Sequence, residues 1–202
     1  MRLLTCFGCL ALSILSMFKF PVVDQLYYFT QIENNMVLAS AALQYYLATR
    51  PQKSIDFFTF KMAVLLSEFG FAMQLLVALV YWVLLHDELA LTNTDWVVHQ
   101  WRVHIHWFPL FGMALITAFT TNKFDYAHGP YLIKWGFFYI PINAFGTWQR
   151  GQPVYPFMPW TDYMSFVIGM GVFITGVILF YISTYILNKL KSRFPQSNKK
   201  AV

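Results

Sequence analysis

The segment YMSFVIGMGVFITGVILFYISTYIL, Tyr163 to Leu187, carries no formally charged residue. As a helix rising 1.5 Å per residue it is long enough to cross a bilayer core of about 30 Å. Five more apolar blocks precede it, at about Leu3–Val23, Gln25–Ala48, Phe57–Leu85, Trp96–Phe119 and Pro130–Trp148. A transmembrane β-barrel needs alternating segments of about 10 residues. These blocks are longer and do not alternate, so helices are expected.

Composition agrees. The 202 residues are 58% hydrophobic, 20% aromatic and 11% charged, with a mean hydropathy of +0.50. Soluble domains carry roughly 25% charged residues. A disordered chain, a disulfide scaffold and an ordinary cytosolic enzyme are all excluded. The expected fold is all-α: a polytopic membrane protein with six transmembrane helices in a single domain over 1–188, followed by a basic polar C-terminal tail, 189–202. The first block resembles a signal peptide, but no small-x-small cleavage site follows it, and Lys19 and Pro21 do.

Lys and Arg set the expected orientation. Arg2, Arg50, Lys53, Lys123, Lys189, Lys191, Arg193, Lys199 and Lys200, nine in all, fall on the side of the termini, against two, Lys19 and Arg150, on the other. Both termini are therefore expected on one side, facing cytoplasm or mitochondrial matrix. The third loop, with His86, Asp87, Glu88 and Asp95, has no Lys or Arg and faces away. These basic residues sit at membrane edges rather than in a groove, so no nucleic acid is expected as partner. Membrane lipids are.

Polar groups inside a bilayer are costly, and each calls for an explanation. Lys61 and Lys134 lie about one turn from the basic side and can snorkel to the interface. Glu68 lies near the midplane and is expected to be protonated or paired, with Arg102 as candidate partner. Cys6 and Cys9, one turn apart, are read as small apolar residues facing a neighbouring helix rather than as a redox or metal pair.

Thr30, Glu33 and Asn34 stand at i, i+3 and i+4 and share one helix face. Such residues commonly bond helices together, and they are also candidates for chemistry. The fourth block holds His99, Arg102, His104 and His106, followed by Pro109. His99 and His106 share a face with Arg102 between them, and His104 projects from another side. A haem needs axial histidines on facing helices, but these three share one helix, and His86 and His128 lie at opposite membrane faces. A zinc or di-iron site lacks a second helix of ligands. No metal and no cofactor are expected.

Counted from the non-basic face, Thr30 lies ~8 Å deep and His104 ~12 Å. A hydroxyl and an imidazole at matched depth on adjacent helices make a candidate nucleophile–base pair. The loop from Arg150 to Asp162, including Tyr155, lies on that face and is expected to lid the site.

Tyr28-Phe29-Thr30 followed by Asn34 resembles the F-T-x-x-x-N opening of the second helix in the androgen-induced membrane hydrolase family. His104 with Pro109 resembles its H-x-x-x-x-P. Val154-Tyr155-Pro156-Phe157 with Trp160 resembles its Y-P-F loop, and Tyr81-Trp82 near the end of the third helix also fits. Bacterial relatives and, more distantly, rolling-stone-like proteins share the pattern. The resemblance implies a multi-pass hydrolase with a Thr nucleophile and a His base acting on esters of hydroxylated fatty acids. By position, Thr30 would be the nucleophile and His104 its base. We add Asn34 as a candidate oxyanion donor or structural neighbour, and Glu33, Arg102, His99, His106 and Tyr155 as supporting candidates. The register of the base among His99, His104 and His106 stays open.

The alternative is a non-catalytic accessory subunit of a larger membrane complex, such as a mitochondrial respiratory-chain assembly, with other subunits as partners. The small extramembrane mass favours it. The expected location is an endomembrane or the mitochondrial inner membrane. An ion or small-molecule transporter has less support, because no inverted repeat is present.

Overall fold

The computed structural model describes residues 1–51, 54–86, 96–120 and 123–193, the side chain of Lys19 excepted. Of the groups weighed above, Lys53, the acidic residues Asp87, Glu88 and Asp95, and the tail from position 194 lie outside the described residues.

Among the described residues 84% are helical and none is in a strand. Seven α-helices follow one another: α1 (Arg2–Lys19), α2 (Val22–Gln25), α3 (Phe29–Thr49), α4 (Phe57–Val80), α5 (Trp96–Ala118), α6 (Gly129–Arg150) and α7 (Met164–Arg193). A π turn, Tyr81–Leu85, extends α4, and a 3₁₀ turn, Tyr126–His128, leads into α6.

Among the described residues two spans are long and apolar enough to cross a membrane. These are Phe57–Leu85, with hydropathy 2.0, and Met164–Arg193, with hydropathy 2.3. The other helices fall short for reasons visible in their sequences. The apolar stretch of α1 is short, the first third of α3 is polar, and α5 carries Arg102 and its histidines. Two boundaries also differ from expectation. Pro21 breaks the path between the first two blocks, leaving α2 as a separate turn before α3 begins at Phe29. α7 continues past the apolar block to Arg193, so Lys189–Arg193 belongs to the helix; Lys191 and Arg193 in its last turn suit the negative end of the helix dipole.

Local chemistry sets the helix ends. Asp56 caps α4 through Oδ1, which accepts the Thr59 N–H at 2.8 Å. α6 closes on Gly151, whose φ of 66° lies in the left-handed region that favours glycine. The start of α3 has no side-chain cap of its own; the Tyr155 hydroxyl from the α6–α7 loop accepts the Phe29 N–H at 2.9 Å instead.

Small and polar residues bring the helices together. α3 and α4 run antiparallel in a register fixed by Ser40 Oγ against Ser67 Oγ at 2.9 Å and by Gln44 donating to Ser67 Oγ at 3.0 Å. Gly70 faces Val37 on the same seam. Extending that register sets Glu33 level with Gln74, and Thr30 with Val77. α1 closes on α5 where Gly112 meets Thr5 and Gly8 meets Phe108. One core cluster joins Phe29, Met73, Leu76, Leu132, Tyr139, Phe173 and Phe180, and a second joins Cys9, Val37, Ala41, Met113 and Ile116. Cys9 is thus a packing residue, and the Cys6 thiol reaches the Leu38 carbonyl.

Candidate functional site

Thr30 lies in the first turn of α3 and is almost wholly buried. Its Oγ1 stands 3.4 Å from His106 Nε2. The other ring nitrogen, Nδ1, contacts the Arg102 carbonyl one turn back on α5. A carbonyl only accepts, so Nδ1 must carry the proton. The neutral ring therefore presents an unprotonated Nε2 to the hydroxyl, the tautomer a base requires. Tyr81, the first residue of the π turn, stacks on the imidazole at 3.7 Å between centroids with 9° between planes. Tertiary contacts on both sides thus hold the ring.

This pairing corrects the register of the histidine. His104 is exposed and accepts the Trp107 indole N–H at 3.0 Å, away from Thr30. Residues 104 and 106 lie on nearly opposite sides of the helix, about 200° apart. The seating of α5 against α1 through Gly112 and Gly8 turns the 106 side inward. With His106 facing Thr30, the spacing to Pro109 is H-x-x-P rather than the family-like H-x-x-x-x-P.

Thr30 and His106 form the wall between two cavities. One, with about 550 Å³ of space counting its open mouth, is apolar, lined by Leu76, Val77, Ile140, Val172 and Phe173 among others. The other, about 1080 Å³ counted the same way, is more polar, lined by Ser16, Gln25, Gln31, Arg102, Arg150 and Gln152 among others. Thr30, Tyr81, Leu85, His106 and Tyr155 line both.

The two arginines of the polar cavity differ. Arg150 is engaged: its Nη1 donates to the Tyr28 hydroxyl at 2.7 Å, its Nε lies 3.4 Å from an Asp24 carboxylate oxygen, and its guanidinium covers the Tyr28 ring. Arg102 has a buried Nη1 without a hydrogen-bond partner. An unsatisfied guanidinium N–H beside a polar cavity is a ready donor for an anionic group.

The α6–α7 loop roofs the apolar cavity with Tyr155, Phe157, Met158 and Trp160. Trp160 takes a left-handed backbone, φ 57°, held by its indole N–H to Asn143 Oδ1 at 2.9 Å and its backbone N–H to Ser165 Oγ at 2.8 Å. The Tyr155 hydroxyl accepts from Phe29, which leaves its own proton to donate. Burial raises the Tyr155 hydroxyl above the usual phenol range, so the proton stays on at neutral pH.

The other sequence candidates sit elsewhere. Asn34 turns toward α1, donating to the Cys9 carbonyl at 3.0 Å and Ser13 Oγ at 2.9 Å, which makes it helix glue rather than an oxyanion donor. Glu33 is fully buried, lines neither cavity, and has both carboxyl oxygens without a close hydrogen-bond partner. His99 is half-buried and also outside both cavities. Glu68 pairs not with Arg102 but with His128, whose Nδ1 is 2.6 Å from Oε2, while Oε1 accepts the Asp125 N–H at 2.9 Å. The α5–α6 loop folds inward to reach it, which residue depth alone does not suggest.

Sequence reasoning missed the Tyr28–Arg150–Asp24 anchor and the Tyr139–Asn143–Trp160 network. Tyr139 and Asn143 share a face at i, i+4 and bond at 3.2 Å; that spacing was the available signal. No family model, no curated protein and no solved structure matches the chain.

Proposed function

We propose that this chain is a multi-pass membrane hydrolase that cleaves esters of hydroxylated fatty acids, with Thr30 as nucleophile and His106 as its base. The observation that carries the reading is the position of the Thr30–His106 pair between an apolar cavity and a polar one. An amphiphilic ester matches both. Its acyl chain fills the apolar side, and the free carboxylate of its hydroxy-acid half faces the open N–H of Arg102. The sequence resemblance points to the same substrate class.

His106 Nε2 takes the proton as Thr30 Oγ1 attacks the ester carbonyl. The Tyr155 O–H, in contact with the Thr30 and Tyr139 hydroxyls, turns to the tetrahedral oxyanion and stabilises it. Collapse breaks the ester C–O bond. The protonated His106 returns its proton to the departing alkoxide, which leaves through the polar cavity. Water from that cavity, deprotonated by His106, then releases the fatty acid from Thr30.

In this reading all six long helices span the bilayer, with both termini on the basic side. The shorter helices support it through their exposed apolar side chains, such as Phe7, Phe18 and Phe138, which are 65%, 82% and 71% exposed. Exposed Trp82, Trp96, Trp148 and Tyr163 mark four helix ends away from the termini, as an interfacial aromatic belt does.

The test is labelling with a fluorophosphonate probe. Wild type is expected to label, and Thr30→Ala and His106→Ala are not. An unlabelled wild type, or equal labelling of Thr30→Ala, rejects the hydrolase. The same exposed apolar faces also suit an accessory subunit covered by neighbouring chains. Gentle detergent extraction and native-gel sizing separate the two: one chain plus its micelle favours the enzyme, and a much larger assembly favours the subunit.

A further inference from the structure

We propose that the end of the bundle opposite Thr30 holds a site for the phosphate of an anionic phospholipid, seated on Arg2 and Arg50; the proposal rests on the membrane reading but not on the hydrolase. The start of α1, the end of α3, the start of α4 and the end of α5 border an open groove there, with about 1380 Å³ of space counting its open side. Its wall sets two guanidinium groups, from Arg2 and Arg50, among the rings of Phe57, Phe60 and Phe119.

The positive charge is only partly compensated. Asp56 is the one acidic side chain in this wall, and both its oxygens are taken by Thr59, Oδ1 by the N–H at 2.8 Å and Oδ2 by the hydroxyl at 2.6 Å. Among the described residues neither arginine forms an ion pair. Arg2 Nε is buried with no hydrogen-bond partner. The Arg50 guanidinium lies over the Tyr46 ring at 5.5 Å. That stacking steadies the group and leaves its N–H edges for a ligand. Guanidinium forks match phosphate oxygens in bidentate geometry. A free inorganic phosphate has no use for the phenyl walls. A phospholipid does: its phosphate meets the arginines while its acyl chains run along Phe57 and Phe60, 78% and 42% exposed. This end also carries the excess of Lys and Arg, where anionic lipid is attracted.

The test uses the full chain in a neutral detergent, with thermal unfolding followed by tryptophan fluorescence. Phosphatidylglycerol is expected to raise the melting temperature saturably, with phosphatidylcholine and inorganic phosphate giving no shift. Arg2→Gln/Arg50→Gln should weaken the apparent affinity for phosphatidylglycerol about tenfold. Equal shifts from the two lipids, or an unchanged preference in the double variant, overturn the proposal. A shift reproduced by inorganic phosphate makes it a free-phosphate site and overturns the lipid. Should the double variant not fold, a photoactivatable phosphatidylglycerol on the wild type decides: crosslinks at Phe57, Phe60 or Phe119 support the site, and crosslinks only elsewhere reject it. Failure of the membrane reading would look different, as no uptake into vesicles of either lipid.

Discussion

His106 and His128 are each held against a polar group on another helix, and their settings are opposite. At His128 both oxygens of the buried carboxylate are served. Its ring binds Glu68, the second Glu68 oxygen takes the Asp125 N–H, and the neighbouring Phe124 backbone bonds Asn188 at both its N–H and its carbonyl. Neither Glu68 nor His128 lines a cavity described above. At His106 the contact to Thr30 is long, Arg102 keeps an unserved N–H, and open volume lies on two sides. Buried polar groups that are fully satisfied act as a joint; groups left incomplete beside space are set up to receive a ligand.

The largest expected effect separates the two histidines of α5. His106→Ala should lower ester turnover about 10⁴-fold, or ~5.5 kcal/mol. His104→Ala should stay within about twofold, as befits an exposed ring outside the site. Turnover measured side by side on the two variants decides the register, and a larger loss at position 104 would overturn it.

The joint should fail in stability rather than turnover. Glu68→Ala leaves the Asp125 N–H and the His128 ring without their acceptor, at a cost of ~3–5 kcal/mol. Glu68→Gln keeps one acceptor and should lose less. Detergent-phase melting reads both, and an unshifted melting point would remove Glu68 from the role of joint.

Tyr155→Phe should reduce kcat about 10²-fold through the lost oxyanion donor. Because Tyr155 also caps α3, melting must be followed in parallel. A rise in KM with kcat unchanged would mean that Tyr155 positions substrate instead.

The smallest effect concerns the second buried carboxyl. Glu33 has no close hydrogen-bond partner at either oxygen, only the Trp135 indole as a loose donor, so Glu33→Gln should change stability by less than about 1 kcal/mol. A loss as large as that of Glu68→Ala would reveal a partner at Glu33 and erase the contrast between the two carboxyls.

Much of this architecture is legible in the chain. Long apolar blocks between short polar connections become α1 and α3 to α7, because such runs leave the backbone no cheaper way to bond itself, even with Pro109 inside α5 and Pro141 inside α6. Thr30 was legible too, as a hydroxyl on a polar face at the start of a helix. The partner histidine was not. Positions 104 and 106 differ by the rotation of one helix, and that rotation is set where α5 seats on α1, Gly112 against Thr5 and Phe108 against Gly8, contacts with no local signature. Glu68 illustrates the same limit. Its depth suggested Arg102, whereas a loop that folds inward supplied His128 and the Asp125 amide. Arg150 was legible as a mark of topology but not as an anchor, since its partners Asp24 and Tyr28 are far away along the chain.

The π turn at Tyr81–Leu85 has a consequence for descent. Such a turn holds one residue more than an α-helix needs for the same ground, which is how an insertion at the end of α4 would be absorbed. Sequences sharing an ancestor with this chain from before that event should align to it with a one-residue gap within the helix rather than in a loop. Deleting Val83 is the laboratory form of the same step. It would restore α winding and swing Leu85 and His86 about 100° around the axis while leaving Tyr81 under the imidazole. The Thr30–His106 pair would keep its platform and lose part of its rim.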